Sequence, residues 1–138
     1  MVRQMLDLAK LRRGEVLYDL GSGDGIIAII AAKDYGAKAI GIELDPTRAE
    51  TARKQNVAGV IILTADFFDV DLSNADVVTC YLTEAPMQRL GKKLSDELKQ
   101  AARIVSHNYE IPNWHHATIE SCPSFTGHRL ILYEFGKP

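Results

Sequence analysis

Residues Val16-Leu-Tyr-Asp-Leu20, followed at once by Gly21-Ser-Gly-Asp-Gly25 and Ile26-Ile-Ala-Ile-Ile30, decide how the rest of the chain is read. The first five residues form a short apolar run of the kind that fills a strand covered on both faces. Glycines at 21, 23 and 25 let the backbone turn tightly and let a ligand approach the main chain. The Ile- and Ala-rich stretch from Ile26 to Tyr35 fits a helix and is stopped by Gly36. Taken alone, this strand, turn and helix point to a nucleotide-like ligand, or to a plain strand–helix turn with no ligand.

The same alternation extends in both directions. Upstream, Val2, Met5, Leu6 and Ala9 have helical spacing. Downstream, strands are expected at Ala39–Glu43, Val60–Thr64, Asp76–Tyr81 and Arg103–His107. Between them, a helix begins near Pro46, where proline is tolerated, and runs to about Val57. Another covers Pro86 to Ala101 with Met87, Leu90, Leu94 and Leu98 on one face. The alternation then breaks. Thr118–Ser121 and Arg129–Phe135 read as strands with no room for a helix before them, so the chain is expected to close with an antiparallel hairpin. The expected fold is α/β: five parallel strands with helices on both faces, plus that hairpin. Ligands in such sheets bind beyond the carboxyl ends of the strands.

The chain has 138 residues, enough for one domain over 1–138, with 46% hydrophobic and 25% charged residues. Cys80 and Cys122 form no CxxC pair and are expected as buried thiols. A metal site built from His107, His115 and His116 is disfavoured, and no metal is expected, because adjacent residues on a strand point to opposite faces. No apolar run approaches the roughly 20 residues of a membrane span. Charges throughout Met1–Lys10 leave no apolar signal core, so a soluble, cytoplasmic protein without membrane attachment is expected. A net charge of −2 gives no global field for nucleic acid, which is therefore disfavoured as a partner.

The acids around the loop narrow the ligand. A dinucleotide fingerprint needs GxGxxG and brings a pyrophosphate to the helix start. Here Ile26 stands at the third glycine's place, and Asp19 and Asp24 flank the turn. Carboxylates would repel a pyrophosphate and attract a ligand with an ammonium group and a sulfonium. That sign favours S-adenosylmethionine over NAD or ATP. Glu43, ending the second strand with Leu44 beside it, can accept from both ribose hydroxyls. Asp66, after the third strand, can accept from an adenine amino group. Phe67 can cover the ring, and packing in the core is the alternative for that side chain.

The spacing of the Asp19–Gly25 loop, Glu43 and Asp66 resembles the motifs of class I methyltransferases, which have a Rossmann-like sheet and bind S-adenosylmethionine. The resemblance gives Asp19, Gly21, Ser22, Gly23 and Gly25 to the methionine part of the cofactor. It gives Glu43 and Leu44 to the ribose, and Asp66 and Phe67 to adenine. The residues that the fourth strand delivers, Thr79-Cys-Tyr-Leu-Thr-Glu84, lack the Asn/Asp-Pro-Pro-Tyr/Phe motif of adenine and glutamine methylation. They also lack the second glutamate of arginine methyltransferases. Tyr81-Leu82 and the run Ser106-His-Asn-Tyr-Glu-Ile-Pro-Asn-Trp114 resemble the small archaeal protein-lysine methyltransferases and their mitochondrial relatives that methylate an ATP-synthase subunit. The likeness covers nearly the whole chain.

That resemblance implies an enzyme whose partner is a protein with accessible lysines. It places Tyr81, Asn108 and Trp114 at the methyl site, with Tyr81 also against the cofactor. Holding a lysine neutral at pH 7 costs about 4–5 kcal/mol, which an apolar, aromatic channel reduces. Structural alternatives stand beside these roles: Tyr81 packed over the cofactor, Trp114 anchoring the hairpin, and His107 satisfied within the fold. The family also carries an N-terminal segment that folds over the cofactor. The chain opens at the helix before the first strand, so the site is expected to be open, incomplete or completed by a partner. The cations Arg89, Lys92, Lys93, Lys99 and Arg103 read as a solvated helix face. The alternative functions are an RNA methyltransferase and a cofactor-binding protein without catalysis. Nothing in the sequence sets an oligomeric state.

Overall fold

The computed structural model describes residues 1–136. Its elements run α1 (Val2–Leu8), β1 (Val16–Leu20), α2 (Ile26–Tyr35), β2 (Lys38–Glu43), α3 (Pro46–Lys54), β3 (Val60–Thr64), a 3-10 turn (Phe67–Asp69), β4 (Val77–Cys80), α4 (Met87–Glu97), β5 (Arg103–His107), β6 (Thr118–Ser121) and β7 (Arg129–Glu134). All seven strands join one sheet in the order β3-β2-β1-β4-β5-β7-β6. β1 to β5 pair in parallel, β7 lies antiparallel to β5, and β6 antiparallel to β7.

The period-2 alternation of strand side chains explains why the strands look apolar throughout. Leu17, Val77, Val105, Leu130 and Leu132 pack toward α1 and α2. Leu20, Val78, Ile104, Ile131 and Tyr133 pack on the other face with α4. α4 presents Met87, Leu90 and Leu94 to that second core. α3 is seated by Ala49 and Ala52 on Ile62. It starts where Asp45 Oδ1 accepts the Thr47 N–H at 2.9 Å, with Pro46 in the first turn.

Two helix ends differ from the expected ones. α3 stops at Lys54 rather than near Val57. α4 spans Met87–Glu97 rather than Pro86–Ala101, because Leu98 turns extended and Ala101 takes a left-handed φ of 69°. No helix among the described residues is long and apolar enough to cross a membrane.

Candidate active site

The chain runs outward from β1 through β2 to β3 and then crosses back to β4, so the strand order reverses between β1 and β4. A ligand crevice is expected beyond the carboxyl ends at such a reversal. The glycine loop leaves β1 there, and Tyr81 leaves β4 beside it. The loop is tied down from β2: the Gly21 and Ser22 N–H groups both donate to the Ile42 carbonyl at 2.9 Å. The Gly23 N–H donates to Glu43 Oε1 at 2.7 Å. Gly21 and Gly23 have φ of 73° and 59°, a region costly for other residues. A Cβ would also lie 2.8 Å from Leu82 at Gly21 and 2.7 Å from the Arg48 guanidinium at Gly23.

Asp19 is 1% exposed, and the Thr79 hydroxyl donates to its Oδ1 at 2.8 Å. Burial pushes its carboxyl up to about 7; the Thr79 hydrogen bond opposes that rise and the Glu43 charge adds to it. Glu43 is buried and takes one backbone N–H on each oxygen, Gly23 on Oε1 and Asp45 on Oε2 at 2.9 Å. A carboxylate has about four acceptor positions, so Glu43 braces the loop and retains acceptor capacity for a diol. Asp66 Oδ1 accepts the Phe68 N–H at 2.9 Å and so caps the 3-10 turn. Phe67 and Phe68 are half-buried, with ring centroids 4.6 Å apart and the Arg89 guanidinium 3.9 Å above Phe68.

A cavity of about 330 Å³ lies over Asp19 and the loop, walled by Arg48, Tyr81 and, from α1, Met1, Val2 and Met5. A second cavity of about 330 Å³ sits among Lys10, Arg12, Ala101 and Arg103. Arg103 is already held there by Glu15 at 2.6 Å. That cavity adjoins the amino end of β5 and the carboxyl end of antiparallel β7, opposite the crevice, and contains none of the loop acids.

The acids Asp19 and Asp24 on the lining of the first cavity suit a cationic ligand, whereas Ser22 Oγ is buried beside Gly41, with no hydrogen-bond partner among the described residues. Leu44 is 67% exposed at the end of β2 and Tyr81 48% exposed at the end of β4. Both are apolar surfaces at the mouth of the crevice.

The structure brings Asp19, Gly21, Ser22, Gly23 and Tyr81 together around this cavity. Gly25 closes the turn through its N–H to the Ser22 carbonyl, and Glu43 reaches the loop from behind. Asn108 and Trp114, expected at the methyl site, are not among the residues that line this cavity. Asn108 Oδ1 accepts the Arg129 N–H at 2.9 Å, tying β5 to β7. Trp114 packs edge-on to Tyr133, with centroids 5.8 Å apart, and against Phe135 on the α4 face. His107 pairs with His128, Nε2 to Nδ1 at 2.9 Å, rather than with His115 or His116. Sequence reasoning missed Thr79, Arg48, His128 and the wall from α1. Thr79 alone carried a local signal, as the one hydroxyl in the apolar run Val77-Val-Thr-Cys80.

The chain is similar in sequence and in structure to known proteins. The profile of the ANTKMT methyltransferase domain matches residues 19–118. A protein-lysine N-methyltransferase of Saccharolobus islandicus is 40% identical, over 99% of this chain and 89% of that protein. The adenine nucleotide translocase lysine N-methyltransferase of Mus musculus is 35% identical over 82% of this chain, which spans about half (51%) of that longer protein. Among solved structures, an RNA methyltransferase from Salinibacter ruber in complex with S-adenosyl-L-homocysteine superposes with a TM-score of 0.91. It is 37% identical, covering 96% of this chain and 88% of that one.

Proposed function

The chain belongs to the ANTKMT methyltransferase domain family and uses S-adenosylmethionine, and from that premise we propose that it methylates lysine side chains of proteins. The observation that carries the acceptor is the near full-length likeness to the Saccharolobus islandicus protein-lysine N-methyltransferase.

The bound cofactor supplies an electrophilic methyl group on sulfur. Asp19, buried with one oxygen on Thr79, is suited to face a cation. Glu43 holds the loop with one lone pair of each oxygen and offers the others to the ribose. Leu44 and Phe67 offer apolar cover, and the second oxygen of Asp66 offers an acceptor for the adenine amino group. Tyr81 forms the acceptor side of the cavity. Its ring is an apolar wall beside which the neutral amine is favoured over the ammonium. The amine loses its proton to solvent, and the residues around it fix its line of approach. Asn108 serves this site by tying β5 to β7, and Trp114 by anchoring the segment before the β6–β7 hairpin.

The Salinibacter ruber likeness favours RNA as the second acceptor class. Four of the five cations singled out in the sequence pair with acids of this chain, Lys92 with Asp96, Lys93 with Glu97, Lys99 with Asp76 and Arg103 with Glu15, and the fifth, Arg89, lies over Phe68. Incubation with tritiated S-adenosylmethionine and a whole-cell extract separates the two. Protein acceptors predict label that survives RNase and is lost to protease. Label lost to RNase overturns the lysine assignment.

A further inference from the structure

Tyr81 stands at the cavity wall on a stretch without regular structure, and among the described residues no hydrogen bond holds its hydroxyl. Its ring is fixed instead by a stack. The His107 ring lies beneath it with centroids 3.9 Å apart and planes 8° from parallel. His107 ends β5, adjacent to β4 through the Cys80–Ser106 pairing, and is 5% exposed. Its Nε2 meets His128 Nδ1 at 2.9 Å, so one of the two nitrogens carries the shared proton.

The backbone on both sides of this pair is hydrogen-bonded. His128 lies in the β6–β7 connection, where its N–H donates to Phe125 O at 3.1 Å and its carbonyl accepts the Cys122 N–H at 3.0 Å. The next residue after His107, Asn108, has a left-handed φ of 65° held by bonds to Arg129 on both its backbone and its side chain. Phe125, His128, His107 and Tyr81 thus form one row of rings, with successive centroids 5.6, 5.0 and 3.9 Å apart, leading from the surface to the cavity. Burial, with His128 adding, pulls the His107 imidazole below its ordinary value and favours the neutral ring.

We propose that His107 is a positioning residue for methyl transfer: held by His128, its buried ring sets the plane of Tyr81, and through it the line on which the acceptor amine meets the methyl group. The proposal rests on Tyr81 bordering the acceptor. A misplacement of about 1 Å in such an alignment can cost about a hundredfold in rate.

The test measures initial rates with tritiated S-adenosylmethionine and a fixed protein extract, S-adenosylhomocysteine affinity by calorimetry, and the melting temperature. His107→Leu keeps volume but removes the flat face. It is expected to lower the rate at saturating cofactor by about tenfold to a hundredfold, with cofactor affinity unchanged and a melting transition that shows the variant is folded at the assay temperature. His107→Phe restores the stacked face and should recover most of the loss. His128→Ala, at a half-buried loop position, is expected to reduce the rate in the same direction with affinity intact, and it reads out the pair should His107→Leu fail to fold. An unchanged rate in the folded variants, or a loss matched by equal loss of cofactor affinity, overturns the proposal. If the wild type labels no protein, both the positioning role and the lysine assignment fall. If it labels protein while His107→Leu is insensitive, only the positioning role falls.

Discussion

Two carboxylates face the glycine loop from adjacent strands, and their surroundings give them different work. Glu43 is satisfied by two backbone N–H groups that lock the loop to β2. Asp19 has a single neutral donor, Thr79, and is otherwise dry, which pushes it from 3.8 up to about 7. A carboxyl raised in the folded state stabilises the fold fully below its unfolded value, and that contribution is lost as pH rises through about 7. A cation bound against Asp19 favours the ionised form. Cofactor affinity, measured by calorimetry between about pH 5.5 and 8, should therefore tighten as pH crosses about 7, and Asp19→Asn should flatten the slope. A slope that survives in Asp19→Asn contradicts the assignment. The positions of Asp19, Glu43 and Asp66 were legible because each sits a fixed step from its own strand end. Thr79, Arg48 and His128 were not, because their places depend on which distant strand, helix or hairpin lies alongside.

The long helix and the segment before the hairpin show what periodicity can and cannot fix. Leu98 keeps the apolar spacing of Met87, Leu90 and Leu94 and is buried with them, so the pattern runs on past the true end of α4. The helix ends where Leu98 turns extended, and the Leu72 N–H donates to Glu97 Oε1 at 2.9 Å beside that end. Within α4, Gly91 lets the segment from Ile111 to Trp114 sit close. A Cβ there would lie 2.7 Å from Ile111 Cγ2 and 3.4 Å from the Trp114 ring nitrogen. Gly91→Ala gains about 1 kcal/mol of helix propensity. Overpacking a dense contact costs about 1–3 kcal/mol. The prediction is a net loss of stability in urea unfolding. A gain would mean that Ile111 and Trp114 yield freely and do not anchor the segment.

Across the whole molecule, the strand–helix alternation in the sequence carried the sheet, its parallel core and the closing hairpin. The role of α1 was hidden, because a short amphipathic helix does not reveal which end of the sheet it covers. Arg103 fixes that placement. Its guanidinium grips Glu15 at 2.6 and 2.9 Å and donates to the Ala9 and Lys10 carbonyls at the end of α1. The Arg103 hydrogen bond, ahead of the opposing effect of burial, holds the Glu15 carboxyl down to about 2. Thus anchored at one end, α1 sends Met1, Val2 and Met5 to the cofactor cavity at the other. The whole arrangement serves one proposed reaction: the loop acids hold S-adenosylmethionine, and the Tyr81 side admits a lysine. Tandem mass spectrometry of extract proteins after incubation with the enzyme and cofactor tests it most directly. Methyl groups are expected on lysine side chains, and they should be absent when Asp19→Asn replaces the wild type. Methylation confined to RNA, or to protein residues other than lysine, would contradict it.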